Sequence, residues 1–391
     1  MKKILSLLVS IAISYSILAQ GYQFTTLKEN PITSIKNQAN SGTCWSWSAI
    51  AFLESELIRR GKGEHDLSAM YVVRRNYADQ AEKYVRMNGT LNYAQGGSFA
   101  DVVETLDEYG VVPLEVYQGL NYGTKKHAHN ELEAGLEGYV SAISAKPNKN
   151  LTTAWKAGLD GILDAYFGKI PADFEYKGKT YTPQSLAKEL DLKSEDYISL
   201  TSFTHHPFYK PFAIEVADNW RWAPSYNLPI DELMEVIDHV INSGATLAWA
   251  TDVSEIGFTR TGVAVIPDDE APDNIGSDQA HWLGLSKTEQ DNQLKDKLTA
   301  GPVKQKEITQ EIRQAAFDSQ ETTDDHGMQI YGTAKDQTGN KYYLVKNSWG
   351  ETGNFKGIWY ASEQFVKYKT ISIVINKESL PKDVAKKLGL K

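Results

Sequence analysis

The chain has 391 residues, a formal net charge of −9 and a single cysteine, and is otherwise of ordinary globular composition, rich in Tyr and Trp. An acidic chain without basic runs is a poor partner for nucleic acid, because phosphate affinity comes largely from clustered Lys and Arg. One cysteine likewise excludes an internal disulfide framework.

Lys2 and Lys3 precede an apolar run over residues 4–18, with Ala19 ahead of Gln20, which is the pattern of a secretory signal peptide. The run is short for a bilayer span. No cysteine stands near the cut to carry a lipid, and no later stretch is apolar enough to cross a membrane. Residues 1–20 are therefore expected to be removed, and 21–391 to be exported to the periplasm or beyond the cell without membrane attachment. In an oxidising compartment a lone thiol is either buried and inert or retained for its reactivity.

Residues 21–43 read as an extended, turn-rich lead-in. Thr43 then caps a helix running to about residue 60, with Trp47, Ile50, Ala51, Leu57 and Ile58 on one stripe and Gly61 as the stop. Further helices are expected at 68–86 and 99–109. A large, mainly helical insertion follows at about 125–230, helical over 132–143 and 155–167, then punctuated by Pro207, Pro211, Pro224 and Pro229. A helix at 231–243, an apolar strand at 245–251 and a polar surface excursion at 267–302 come next. Residues 328–333 and 341–346 are strand-like runs around a polar turn at 336–339, and 371–375 is another strand. A short Lys-rich tail at about 378–391 closes the chain. No internal repeat is present. Helices early and strands late give an α+β protein with segregated lobes.

Cys44 falls at the expected start of the first helix, where backbone N–H groups and the helix dipole favour a thiolate. His326 lies just before one strand of the proposed hairpin and Asn347 just after the other. Pairing those strands brings the two nearly opposite each other. An Asn amide oxygen there would fix the imidazole's tautomer and leave its other nitrogen for the sulfur. Gln38, six residues before Cys44, could join the Cys44 backbone N–H in stabilising an oxyanion. Trp349 could cover the His–Asn hydrogen bond, and Gly96 and Gly97 would let an extended substrate backbone approach closely. The bland alternatives are inert packing for Cys44, solvated or core positions for His326 and Gln38, core packing for Trp349 and a plain turn for the glycines. His127 with His129, and His205 with His206, show no carboxylate at a known metal-site spacing and read as surface or loop histidines. No metal or cofactor is expected.

The run from Asn37–Gln38 through Gly42, Thr43, Cys44, Trp45, Ser46, Trp47 and Ser48 to Ala49 resembles the active-site segment of papain-like cysteine peptidases. Gly96–Gly97, Asp325–His326–Gly327 and Asn347–Ser348–Trp349–Gly350 follow in that family's order. Thr322–Thr323–Asp324–Asp325–His326–Gly327–Met328 and the long insertion before them are similar to the bleomycin hydrolase and aminopeptidase C branch. The resemblance implies one peptidase domain over 21–391, with a helical lobe, a β-barrel-like lobe and a cleft between them. It implies peptide-bond hydrolysis through a Cys44 acyl-enzyme. His326 would be base then acid, Asn347 the orienter, Gln38 the oxyanion donor, and Gly97 would line the substrate channel. It also implies peptide substrates and a homo-oligomer, hexameric in that branch.

This chain departs from the branch in carrying an export pattern and in ending at Lys391, soon after Pro381, which is short of the full tail that blocks the cleft in its members. Residues 20–37 are also too few for the inhibitory prodomain of ordinary secreted papain-like enzymes. Aminopeptidase action is the first expectation, with the carboxylate of Lys391 as one candidate for meeting the substrate's ammonium. An endopeptidase with an open cleft is the alternative. A transglutaminase-like enzyme, which would usually carry Asp as third residue, and a non-catalytic peptide-binding relative, which would be expected to lose Cys44, His326 or Gln38, are less favoured.

Overall fold

A computed structural model describes residues 21–146, 149–268 and 287–390. The leader pattern at 1–20, the middle of the polar excursion and Lys391 lie outside the described residues. Among the described residues no helix is long and apolar enough to cross a membrane.

Helices α1 (Cys44–Arg59), α2 (Ala69–Arg86) and α3 (Phe99–Tyr109) form one wall of the molecule. The first was expected to bury a single stripe. Instead it is buried without a break from Trp45 to Leu57, as a central core helix is. Thr43 occupies the N-cap position but gives no capping bond; its hydroxyl pairs with Ser41 Oγ at 2.7 Å. Gly61, at φ +71°, closes the helix by donating to the Ile58 carbonyl. Ser68 caps α2 by accepting from the Tyr71 N–H at 3.0 Å, and Ser98 with Asp101 forms a capping box on α3. With α4 (Asn130–Ser144) and α5 (Ala154–Phe167), these helices enclose a core that includes Phe52, Leu53, Met70, Val102, Leu136 and Leu163.

Facing them is a ten-stranded sheet. Its strands are β1 (Phe24–Glu29), β4 (Tyr197–Thr201), β5 (Pro211–Ala213), β6 (Pro224–Asn227), β7 (Leu247–Thr251), β8 (Val263–Ala264), β9 (His326–Asp336), β10 (Lys341–Lys346), β11 (Ile358–Ser362) and β12 (Thr370–Asn376). A separate hairpin joins β2 (Phe174–Tyr176) to β3 (Lys179–Tyr181). The sheet runs β5-β6-β4-β12-β7-β9-β10-β11-β8, with β1 also on β9. The long β9 is its organiser: it pairs with β7 over 326–330, with β10 over 329–335 and with β1 over 332–336. Trp249, Ile330, Val345, Phe365 and Ile373 belong to the core of this lobe.

The long helices of the insertion end at Phe167. Beyond it the chain passes through the β2–β3 hairpin and a short helix, Pro183–Leu190, into β4, β5 and β6. These extend the main sheet because β4 pairs with β12. Pro211 and Pro224 are the first residues of β5 and β6, at the margin of the sheet, where a missing N–H is tolerated. The expected tail is ordered: Lys382–Lys387 is a helix, and Leu388 and Leu390 pack against the core of the sheet lobe.

Candidate active site

Cys44 is the first residue of α1, so its backbone N–H is one of the unpaired donors at a helix start. Glycine at position 327 permits the approach of this helix end to β9. A Cβ there would lie 2.8 Å from Ser48 Oγ and 3.2 Å from the Trp45 Cα. Burial is the main influence on the Cys44 thiol and pushes it up to about 12. Backbone hydrogen bonds from Gly327 and Trp45 pull it back, while the charges of Asp324 and Asp218 push it further up. The residue keeps a partly exposed face toward the cleft, so water there offsets part of the burial.

His326 Nε2 stands 2.9 Å from Asn347 Oδ1, and both side chains are buried. An amide oxygen only accepts, so Nε2 carries the ring proton and Nδ1 is left free to take one from sulfur. The β9–β10 register differs from a simple face-to-face meeting. Lys346 pairs with Gln329 after a bulge, and continuing that ladder sets Asn347 opposite Met328. His326 is two residues further along, on the same face, and its side chain spans the offset. Trp349 lies against the imidazole, with ring centroids 4.6 Å apart. Its burial lowers the imidazole pKa to about 4, against the upward pull of the Asn347 bond. The low imidazole and the high thiol each reflect one partner charging alone. Proton transfer between them creates opposite charges side by side, and their attraction offsets both burial costs.

Gln38, only 7% exposed, is held at both ends of its amide. Its Oε1 accepts from Ser348 Oγ at 2.6 Å, and its Nε2 donates to the Ser41 carbonyl at 2.7 Å. Its backbone N–H donates to the Ser348 carbonyl at 2.8 Å. One Nε2 hydrogen remains for an oxyanion, and Ser348 is the positioning partner that the spacing did not suggest.

A partly open cleft lies beside Cys44 and His326. Phe99, Ile214 and Ile371 supply apolar lining. Gly97 lines it too, packed so closely that a Cβ would meet the Trp45 ring at 2.9 Å and Asp101 Oδ2 at 2.9 Å. Gly96 lies under the β5–β6 loop, residues 214–223: a Cβ on it would fall 2.1 Å from an Asp218 carboxylate oxygen. That loop is bolted across to the helical lobe. Arg221 Nε donates to Asp101 at 2.6 Å, and its Nη2 donates to both Asn76 Oδ1 and Asp79 Oδ2 at 2.7 Å. Asn219 braces the loop internally through Ile214 and Ala223. No motif in the sequence marks this loop, and the Pro-rich reading of the region passes over it.

The other histidines separate into two kinds. His127 and His129 lie in a loop but are buried rather than on the surface, among Trp47, Tyr77 and Phe167, and burial lowers their pKa to about 4 and about 3. His205 and His206 do gain a carboxylate that their spacing does not reveal. Glu215 sits 3.1 Å from one ring and 2.8 Å from the other, and the three offer ligand atoms within 4.8 Å of one another. The two ring N–H donors and the carboxylate already satisfy each other.

Comparison with known proteins agrees with this geometry. Residues 20–162 match the model of the papain family cysteine proteases, and residues 303–390 that of the peptidase C1-like family. The chain belongs to the papain-like cysteine peptidases. Within them it stands with the aminopeptidase C, or bleomycin hydrolase-like, branch. It is 23% identical to aminopeptidase C of Lactobacillus helveticus, across 93% of this chain and 85% of that protein. It is 24% identical to aminopeptidase C of Streptococcus thermophilus, across 88% and 81%. The fold is similar to that of PepW from Lactobacillus rhamnosis, with a TM-score of 0.68 at 19% identity, covering 93% of this chain and 84% of that one.

Proposed function

We propose that this cysteine peptidase acts as an aminopeptidase, with Cys44, His326, Asn347 and Gln38 in the roles their contacts suit. Cys44 Sγ attacks the scissile carbonyl carbon while its proton passes to His326 Nδ1. The oxyanion is held by Gln38 Nε2–H and the Cys44 N–H. Collapse breaks the C–N bond, and His326 returns the proton to the departing amine. Water then attacks the thioester with His326 as base, releasing the acid and restoring the thiol. Asn347 keeps the ring in the tautomer that both steps need.

The observation that carries the exopeptidase reading is the β5–β6 loop lying on Gly96. Gly96 and Gly97 form the edge along which an extended substrate would run, and the loop closes that edge. The names of the aminopeptidase C relatives point the same way. The end of the chain also lies near the cleft: Leu390 lines a neighbouring groove that shares Ala100, Ser199, Ala223, Pro224 and Val374 with it.

The test compares a fluorogenic peptide with a free N-terminus against its acetylated twin, using reduced enzyme and Cys44→Ala as control. Cleavage of the free form alone supports an aminopeptidase; equal cleavage of both means an endopeptidase. The proposal includes export, on the pattern at 1–20. A product recovered outside the cytoplasm and beginning at Gly21 supports it, and an intact Met1 refutes it. The homo-oligomer implied by the resemblance is checked by light scattering of the same preparation.

A further inference from the structure

The cleft is one-sided in charge. Among the described residues that line it are Asp218, Asp324 and Asp325, and no lysine or arginine. Asp325 accepts from the Val253 N–H at 2.8 Å. Asp218 and Asp324 make no hydrogen bond or ion pair among the described residues. Both carboxylates are half-buried, so they lose part of their hydration and a cation entering the cleft can replace it.

We infer that the Asp218 carboxylate, with Asp324 beside it, receives the α-ammonium group of the bound peptide. This rests on the aminopeptidase reading and gives it a recognition element within the body of the fold, independent of the chain's end. Three features support it. First, Asp218 lies against Gly96, where the loop stops the substrate backbone, so what arrives there is the end of the chain. Second, Arg221 and Asn219 fix the loop on either side of the acid while leaving the acid itself unpaired. Third, both charges are felt at Cys44, which places them within electrostatic reach of the reacting sulfur. Burial raises Asp218 to about 6 and Asp324 to about 8, the latter further lifted by the neighbouring acids Asp218, Asp325 and Asp252, and an ammonium group arriving beside them would favour their ionised forms.

A lysine side chain offers the same ammonium chemistry, so the experiment separates the two sources. Full-length mature enzyme is assayed on leucyl and lysyl fluorogenic amides, each free and N-acetylated, and Asp218→Asn and Asp324→Asn are compared with the parent. Circular dichroism and stoichiometric alkylation of Cys44 establish that each isosteric variant is folded and holds its thiol. The expected result is a fall of about 10²-fold in kcat/KM for the free leucyl substrate in Asp218→Asn, the scale of losing one partner of a buried charge pair. The acetylated substrates should change little, so the free-to-acetyl ratio collapses. A loss confined to lysyl substrates, whether free or acetylated, would overturn the proposal in favour of side-chain recognition. If the parent strongly prefers free termini and both variants keep that ratio, this inference fails while the aminopeptidase reading stands. If the parent itself shows no preference, that reading fails and takes the inference with it.

Discussion

The two sides of the cleft are built on opposite principles. On the chemical side nearly every polar group has a partner: His326 holds Asn347, Gln38 holds Ser348 and the Ser41 carbonyl, and Trp349 lies against the ring. On the far side the β5–β6 loop is anchored through Arg221 and Asn219, yet presents Asp218 with no hydrogen-bond or ion-pair partner among the described residues. Groups that must keep one orientation through the reaction are restrained by hydrogen bonds. A group that must meet an incoming charge is left unsatisfied, with its support placed one or two residues away. His326 and His129 give a second contrast: burial lowers both imidazoles, but only His326 has a side-chain acceptor to orient it.

The largest expected effect comes from removing the nucleophile. Cys44→Ala should abolish turnover on all substrates, measured by amide fluorescence, while leaving the melting temperature close to that of the parent. Residual hydrolysis above the buffer rate would break the assignment of the chemical side altogether. Next comes Gln38→Ala, expected to lower kcat by about 10²–10³-fold with KM little changed, as loss of one oxyanion donor does. A change in KM alone would move Gln38 from the chemical side of the comparison to the binding side.

The anchoring of the loop makes a prediction of intermediate size. Arg221→Gln leaves the fully buried Asp101 without its cation, and breaking such a pair costs about 3–5 kcal/mol. Thermal unfolding should report that loss. The loosened loop should also admit longer chains past Gly96, so hydrolysis of the acetylated peptide should rise relative to the free one. Lower stability with unchanged selectivity would show that the loop braces the lobe without closing the cleft.

The same division explains what could be read in the sequence. Cys44, His326, Asn347 and Gln38 stand in short motifs, because each is fixed by its own immediate backbone: a helix start, a strand start, a strand end and the loop before the helix. The helices at 99–109 and 155–167 were legible for a similar local reason, in the spacing of their apolar residues. Asp218 was not. Its place depends on β5 and β6 joining the sheet through β4, whose pairing with β12 links residues 173 to 179 positions apart (Ile373 with Leu200, Asn376 with Tyr197) and leaves no periodic trace near position 218. Glu215 met His205 and His206 through the same hairpin. The continuous burial of α1 from Trp45 to Leu57 is not legible because Ser46, Glu54 and Ser55 look solvent-facing until Ala69 of α2, Thr33 with the Leu67 N–H, and Gln329 of β9 meet them.

The smallest effect expected is on acidity. Burial holds His326 at about 4 and the Asn347 amide pulls it upward, so acidification should remove activity through a limb well below the ordinary imidazole range. The limb belongs to the Cys44–His326 pair rather than to the ring alone. Asn347→Asp should move it to higher pH, and the sign holds for either resting form of the pair. If the ring is neutral, a neighbouring carboxylate favours its protonated form and raises its pKa. If thiolate and imidazolium already coexist, the added negative charge raises the pKa of the thiolate. Either way protonation sets in sooner as pH falls, by about one to three pH units. A profile of kcat/KM between pH 3 and 8 reads the shift directly. A limb that stays in place would mean that the titrating group lies away from residue 347, and the acids of the far side, Asp218 and Asp324, would become the first to replace.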